Sequence, residues 1–529
     1  MSTRSNSATL NTASSDADPS IMDTCRSIPA WEWALAGCAV LIALVLGFSR
    51  LSWPSLWHDE LIHVFVAKGI MAGGLPQLPS GRVFTEGTLY NYLLAAAVLL
   101  FGDGEASVRA PSVIANALNV LATYFVVRRL LGAPAALVAA FALALSPWSV
   151  AWSRQARFYA LQQTMYLSTL YAVWRCGEAP DRGGIVRWGL GACGAYVVGL
   201  LSGPHSVFFL APVGAYAGLQ VLRERRVKSR WFLMAAAAVL WGGLTVMGHY
   251  LSLPQAEFDA TFKDAQIGGP PPDPGDRDQS DSLYYFRFFT NNLSTGYFIL
   301  ACVGFVWMGV KEGRRGVFTA IAFLAPILVL NFLIGYRRHR FIFFAYPFYV
   351  AAFSYALVRL TAFLPTFRRS WPRAVAAVCV AAFGARLAVS TARLVEDSLR
   401  VAGGADATLA VVHPQWRKPC LYIRDHLNGE VVLTTTYITA LYYVGRVDNW
   451  YPSRVIVWEH IESGMEGLKT LDDLKAYVRE HPKGFFVAER RRFHHWYFFA
   501  EDVAWVEQNM ERLDAASGED VILYRWGPR

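Results

Sequence analysis

Long apolar runs separated by short basic connections fill the first three quarters of the chain. About 20 apolar residues in a helix cross a bilayer. Windows of that length place spans near 31–50, 110–130, 133–152, 158–175, 187–203, 205–222, 231–252, 292–310, 317–335, 340–360 and 373–391, about eleven crossings in all. The run "LYNYLLAAAVLLFG" at 89–102 is short for a crossing and reads as an interfacial helix. After residue 391 the hydropathy falls and the period changes. "VVLTTT" (431–436), "GFFVAE" (484–489) and "VILYRW" (521–526) predict strands, whereas "TLDDLKAYVREH" (470–481) and "AEDVAWVEQNMERL" (500–513) carry helical spacing. The expected fold class is therefore a polytopic α-helical membrane protein over 31–391 with a small α/β domain over 392–529. Residues 1–30, rich in Ser, Thr, Asn and Asp and without periodicity, read as a disordered cytoplasmic tail before an uncleaved first span.

Composition supports this class: 54% of residues are hydrophobic, 17% are charged, and the mean hydropathy is +0.29. The net charge of +9 would suggest nucleic acid in a soluble protein. Here the Arg and Lys residues sit in short tracts between apolar runs, which is a topology signal, so no nucleic-acid partner is expected. With the N-terminus inside, the cytoplasmic connections are Arg128/Arg129, "RCGEAPDRGGIVR", "RERRVKSR", "KEGRRG" and "RLTAFLPTFRRSWPR". The other face receives 51–109, the "SRQAR" corner, the Pro-rich loop 254–290, "YRRHR" (336–340) and the C-terminal domain. "YRRHR" breaks the positive-inside rule, and an anionic ligand is the simplest cause. The seven cysteines are scattered without a Cys-x-x-Cys, so neither a disulfide framework nor a zinc site follows. The C-terminal domain has neither a G-x-G-x-x-G nor a Walker loop, and the chain shows no internal repeat. Ala/Arg-rich usage suits a bacterial inner membrane.

Chemistry concentrates on the outer face. "HDELIH" (58–63) places Asp59 and Glu60 just beyond the first span. Its histidines lie five apart, about 140° around a helix, so they do not form a zinc-binding pair, whereas Asp59 and His63 share a face. The two carboxylates read as acidic residues of a first helical turn, as a reactive pair, or as both. "GRVFTEGTLYNY" adds Arg82, Glu86 and Tyr90, and "FGDGEASVRAPS" leads into the second span with Pro111 near a helix start. "WSRQARFYALQQ" brings Arg154, Arg157 and Tyr159 to a corner, and "YRRHRFIFFAYPFY" brings Arg337, Arg338 and Arg340. Snorkelling to lipid headgroups is the plain explanation for the last two clusters. Against it stands the convergence of acidic and basic groups from distant segments on one face.

An Asp-Glu pair after the first span, "D-G-E-x-S-x-R-x-P-S" before the second, "S-R-x-A-R-x-Y" at a corner and a late basic cluster together resemble the GT-C integral-membrane glycosyltransferases. The nearest branch contains the protein O-mannosyltransferases and the aminoarabinose transferases. The resemblance covers roughly residues 31–360. It implies transfer of a sugar from a polyprenyl-phosphate donor to an acceptor hydroxyl outside the cytoplasm, in a cell membrane, with a lipid, polysaccharide or protein as acceptor. Asp59 matches the family's first acidic position and is the expected general base, with Glu60 orienting the acceptor or balancing charge. Arg157, Arg337, Arg338, Arg340 and, more weakly, Arg82 are expected around the donor phosphate. His58, Glu86, Tyr90, Tyr159 and His205 are expected around the substrates. A single displacement with one carboxylate base inverts the anomeric carbon; a retaining route would use Glu60 or Glu86 as nucleophile. In place of the aminoarabinose branch's "K-P-P-L" stretch this chain has "FTEGTLY", which argues against the same sugar or acceptor. No cofactor is assigned. Paired carboxylates in this broad fold can hold a divalent metal, but no further Asp or Glu is placed convincingly as a ligand.

The main competing class is a lipid or glycolipid transporter or flippase, which would put charges at mid-span and break helices in matching halves. The notable charges instead lie at span ends. "SGPHSV" (202–207) reads as a tight turn that leaves His205 at the outer surface. A sensor using its last domain as a binding module would leave the Asp-Glu pair unexplained. The acidic, Pro-rich loop 254–290 reads mainly as solvated, with a lid as the functional alternative. "ERRRFHHW" (489–496) reads as an exposed basic rim before an acceptor grip.

Overall fold

A computed structural model describes residues 28–223, 283–332, 338–363, 371–403, 413–451, 461–493 and 498–528. The expected tail, the 231–252 span, most of the 254–290 loop, Arg337 and part of "ERRRFHHW" lie outside the described residues. Helix α1 is Ala30–Phe48, α2 His58–Gly73, α3 Thr88–Phe101, α4 Glu105–Leu131, α5 Ala133–Ala144, α6 Pro147–Ser153, α7 Tyr159–Glu178 and α8 Arg182–Ser202. A 3₁₀ turn at Pro204–Phe209 leads into α9 (Leu210–Arg223). Then come α10 (Tyr284–Asn292), α11 (Thr295–Lys311), α12 (Arg314–Phe332), a second 3₁₀ turn at His339–Ala345, α13 (Tyr346–Phe363) and α14 (Trp371–Ala402).

Among the described residues six helices are long and apolar enough to cross a membrane, at Ala30–Phe48, Glu105–Leu131, Arg182–Ser202, Pro204–Leu222, Arg314–Phe332 and His339–Thr361. A seventh candidate, expected as one span over 133–152, is bent by 56° between α5 and α6. Pro147 cannot donate a backbone hydrogen bond, and Ser146 caps the new helix by accepting from the Ser149 N–H. The short α3 has the length expected of an interfacial helix. Residues 284–290, expected as loop, are helical in α10, and α14 runs unbroken through the expected boundary at 391/392.

Helix α7 shows why hydropathy alone misjudges an interior helix. Its Gln163 donates to the Phe343 carbonyl at 2.5 Å, and Thr164 donates to Asn119 Oδ1 at 2.6 Å. Facing it, Ser112, Asn116, Asn119 and Thr123 of α4 recur every three or four residues and are all buried. Ser112 and Asn119 on this seam bond to neighbouring segments, so these polar side chains are turned from lipid.

Beyond the membrane helices, five strands form one sheet in the order β2-β1-β3-β5-β4: β1 Val431–Thr434, β2 Asn449–Trp450, β3 Gly484–Glu489, β4 Glu511–Arg512 and β5 Val521–Trp526. β1 pairs parallel with β2 and β3, and β5 pairs antiparallel with β3 and β4. The central strands β3 and β5 are buried along almost their whole length, because helices cover both faces. Trp416, Cys420 and Ile423 pack on one side; Leu474, Phe493 and Val506 pack on the other. Polar contacts bind this unit to the first loop. Arg417 pairs with Glu105, Tyr443 OH donates to Glu105 at 2.6 Å, and the Leu56 N–H donates to Tyr443 OH at 2.7 Å.

Candidate active site

Helix α2 begins with His58-Asp59-Glu60. Acidic residues suit a first turn because unpaired N–H groups and the helix dipole favour negative charge there. The Glu60 carboxylate accepts from the Trp57 N–H at 3.2 Å, which closes the helix start. Two consecutive residues point about 100° apart on a helix, so the two carboxylates meet different surroundings.

Glu60 turns inward and is fully buried. Arg109 of α4 grips it with two parallel bonds, Nε to Oε1 at 2.8 Å and Nη2 to Oε2 at 2.7 Å. The same guanidinium donates to the carbonyls of Leu51 at 2.9 Å, Pro54 at 2.8 Å and Ser55 at 3.1 Å. The Ala156 N–H adds a bond to Glu60 Oε1 at 2.8 Å. Burial pushes the Glu60 pKa up, but the Arg109 charge and hydrogen bonds outweigh it and leave the pKa below the usual range. One ion pair thus ties α2, α4, the 51–55 segment and the 154–158 corner together.

Asp59 faces the opening, with 22% of its side chain exposed. Its Oδ2 lies 3.3 Å from Arg340 Nη1 and 3.6 Å from Arg157 Nη2. Burial raises its pKa, and Arg157 and Arg340, in that order, more than offset it, so Asp59 is ionised below the ordinary aspartate range. Arg157 is held from several sides. It donates to the Asp59 carbonyl at 3.1 Å and to Tyr159 OH at 3.3 Å, and it lies 3.8 Å from Glu86 Oε1.

Behind this triad lies a second layer. His63, one turn after Asp59, has Nδ1 2.6 Å from Asn91 Oδ1, and Asn91 donates to the Glu86 carbonyl at 3.0 Å. The imidazole is enclosed by the rings of Phe84, Tyr90 and Phe158. Burial, then the Arg157 charge, pull its pKa down to about 3, so it is neutral at physiological pH. Gly87 has φ +69°, and a Cβ there would come within 3.2 Å of the His63 ring and 3.0 Å of Phe158. Only glycine fits this close approach without displacing the rings.

The structure therefore brings Asp59, Glu86, Arg157, Tyr159 and Arg340 together from four separate segments. His58 borders them, with Nε2 2.9 Å from Glu462 Oε1. Tyr90 is buried behind the site, its hydroxyl 2.8 Å from Ser112 Oγ. Arg338 is half-buried at the start of the second 3₁₀ turn, and Arg82 sits in the exposed turn 78–83. His205 stacks on Phe341, ring centroids 4.2 Å apart. Arg154 points away and caps the end of α1, donating to the carbonyls of Leu46 at 3.3 Å, Gly47 at 3.1 Å and Ser49. Sequence reasoning missed Arg109, although it stands in the "SVRAPS" stretch, and it gave no role to Asn91 or Glu462. Among the described residues no three His, Cys, Asp or Glu side chains gather as ligands for a metal ion.

Comparison with known proteins agrees with this architecture. The family described as dolichyl-phosphate-mannose-protein mannosyltransferase matches residues 86–248, a segment that includes Glu86, Arg109 and Arg157. No curated protein matches the chain. ArnT from Cupriavidus metallidurans bound to undecaprenyl phosphate superposes with a TM-score of 0.64 at 16% identity, covering 95% of this chain and 100% of that one. The archaeal oligosaccharyltransferase AglB from Archaeoglobus fulgidus, in complex with an inhibitory peptide and a dolichol-phosphate, gives 0.54 at 13% identity over 91% of this chain and 72% of that one. At these identities the likeness is one of fold, and the fold is that of the GT-C membrane glycosyltransferases.

Proposed function

We propose that the chain transfers a glycosyl group from a polyprenyl-phosphate-linked sugar to an acceptor hydroxyl on the extracytoplasmic side of the membrane, with Asp59 as general base. The observation that carries the proposal is the partly exposed Asp59 carboxylate bracketed by Arg157 and Arg340. A displacement at an anomeric carbon by an alcohol needs a base on one side and a way to receive negative charge on the other. This cluster supplies both within a few ångströms.

In the proposed step the acceptor oxygen bonds to the anomeric carbon while its proton passes to Asp59. The bond between that carbon and the phosphate oxygen breaks, and its electron pair stays on the polyprenyl phosphate. Arg157 and Arg340 neutralise the phosphate through charge-assisted hydrogen bonds, with Arg338 and Arg337 nearby in sequence. A phosphate competing for these guanidiniums loosens their hold on Asp59 and makes it a stronger base. Glu86 and Tyr159 hold Arg157 from its other sides and fit a place beside the sugar. Glu60, held by Arg109, fits a framework role; with Asp59 as the base and Glu86 engaged by Arg157, the step is a single displacement with inversion. Most basic tracts between spans fall on the face opposite Asp59, with "YRRHR" as the exception, which supports an extracytoplasmic site and C-terminal unit.

The test is consumption of a panel of polyprenyl-phosphate sugars by membranes containing the chain, with membrane extract as acceptor and the product's anomeric configuration read by NMR. Acceptor-dependent release of polyprenyl phosphate with inverted product is expected. A panel with no donor consumed would overturn the proposal, and a retained configuration would remove the single-displacement step.

A further inference from the structure

Between the sheet strands β2 and β3, residues 461–465 leave the α/β unit and lie against the first outer loop. The Ser80 N–H donates to the Glu462 carbonyl at 3.1 Å, and Ser80 Oγ donates to the Ile461 carbonyl at 2.7 Å. Gly464, at φ +68°, packs so closely that a Cβ would lie 3.2 Å from Ser80 Cα, so the strap is seated on backbone. Met465 packs against the main membrane-side core. The strap carries one acidic side chain, Glu462, and buries it: 1% of it is exposed. A carboxylate is costly to bury without a cation or donors beside it. Its partner is His58, with Nε2 2.9 Å from Oε1, and His58 immediately precedes Asp59 in the first turn of α2.

We infer that Glu462, contributed by the C-terminal α/β unit, is a positioning residue for Asp59 and acts through His58. The order is carboxylate, imidazole, carboxylate. Glu462 holds the His58 ring, and the ring sets the first turn of α2 from which Asp59 projects. Arg157, Arg340, His58 and His63 are the charged and titratable groups that act on Asp59, and Glu462 contacts His58. The α/β unit thereby becomes part of the reaction machinery without touching the reacting atoms. This inference rests on the transferase reading proposed above.

The test compares steady-state release of polyprenyl phosphate by the full-length chain with Glu462→Gln, Glu462→Asp, His58→Gln, the Glu462→Gln/His58→Gln double variant and Ser80→Ala, each normalised to folded protein by size exclusion and melting. Glu462→Gln is expected to lower kcat at least tenfold with KM for the donor within twofold of wild type. Glu462→Asp, which keeps the charge, should recover part of the loss. The double variant should be no slower than the slower single variant, because both interrupt one connection. Ser80→Ala, which loosens the strap but leaves the charge, should keep the wild-type kcat. Undiminished kcat in Glu462→Gln, a double variant that loses the product of both single effects, or a Ser80→Ala loss equal to that of Glu462→Gln would each overturn the inference and leave the transferase reading standing. Wild-type chain that consumes no donor would overturn both.

Discussion

Glu60 and Asp59 are neighbours in sequence and opposites in environment. Glu60 is sealed inside, bound twice by Arg109 and once each by the Trp57 and Ala156 N–H groups. Asp59 stands at the opening, with its two arginines at 3.3 and 3.6 Å and no bidentate clamp. A buried, fully bonded pair resists any change in charge and serves as a joint. A looser, partly exposed pair can exchange partners, which chemistry requires of a base. One turn of helix thus divides two similar acids into a structural anchor and a candidate reactive group, and the division can be tested from either side.

Breaking the anchor should have the largest effect on the molecule. Arg109→Leu leaves Glu60 buried and uncompensated, and loss of one partner of such a pair costs about 3–5 kcal/mol. The variant is expected to melt far below wild type in detergent or to fail to accumulate. Arg340→Gln acts on the looser side and should keep the fold. Loss of one charge-assisted bond, about 1.5–3 kcal/mol, should weaken donor binding roughly 10- to 100-fold in a titration with polyprenyl phosphate. It should also change the acid limb of activity. Asp59 is active when ionised, and in the wild type burial is outweighed by Arg157 and Arg340, which hold its pKa below the ordinary aspartate range and keep the acid limb low. Without Arg340 the pKa rises and activity is lost at higher pH.

His63 gives a third test, read in stability. Its pKa is about 3 in the folded chain against 6.5 when free, so between these values the unfolded state binds the extra proton. Stability from this group is complete above pH 6.5 and is lost as the pH falls toward 3. The slope is at most about 1.4 kcal/mol per pH unit. His63→Gln should flatten the pH dependence of the melting temperature in this window by one proton. The smallest effect is expected from Tyr90→Phe, which removes the bond to Ser112 behind the site and should cost about 1 kcal/mol in melting, with donor binding unchanged.

Much of this arrangement was legible in the chain. The apolar runs and the convergence of Asp59, Arg157 and Arg340 from distant segments follow from hydropathy and charge spacing. The division of labour between Asp59 and Glu60 does not. It depends on which side of α2 meets α4, and nothing local in "HDEL" states where Arg109 lies. Arg109 itself sits among the small and apolar residues of "SVRAPS", where a single charge at a helix start reads equally well as interfacial. The α5–α6 bend was signalled by Pro147, but a window of about 19 residues averages a proline away. Glu462 carried no signal, because its significance arises only when the strap meets His58, about 400 positions away in the chain. Polar α7 is expected as a span from a hydropathy window; its Gln163 and Thr164 matter through partners on the 339–345 turn and α4.

The most direct measurement is the rate of polyprenyl phosphate release per folded molecule in Asp59→Asn, which keeps the side chain's size and removes its charge. A general base contributes about 10²–10⁴-fold. The expected result is a loss of at least about 100-fold with an unchanged melting temperature. Release at the wild-type rate by folded Asp59→Asn would contradict the assignment of the reactive role to the carboxylate at the opening.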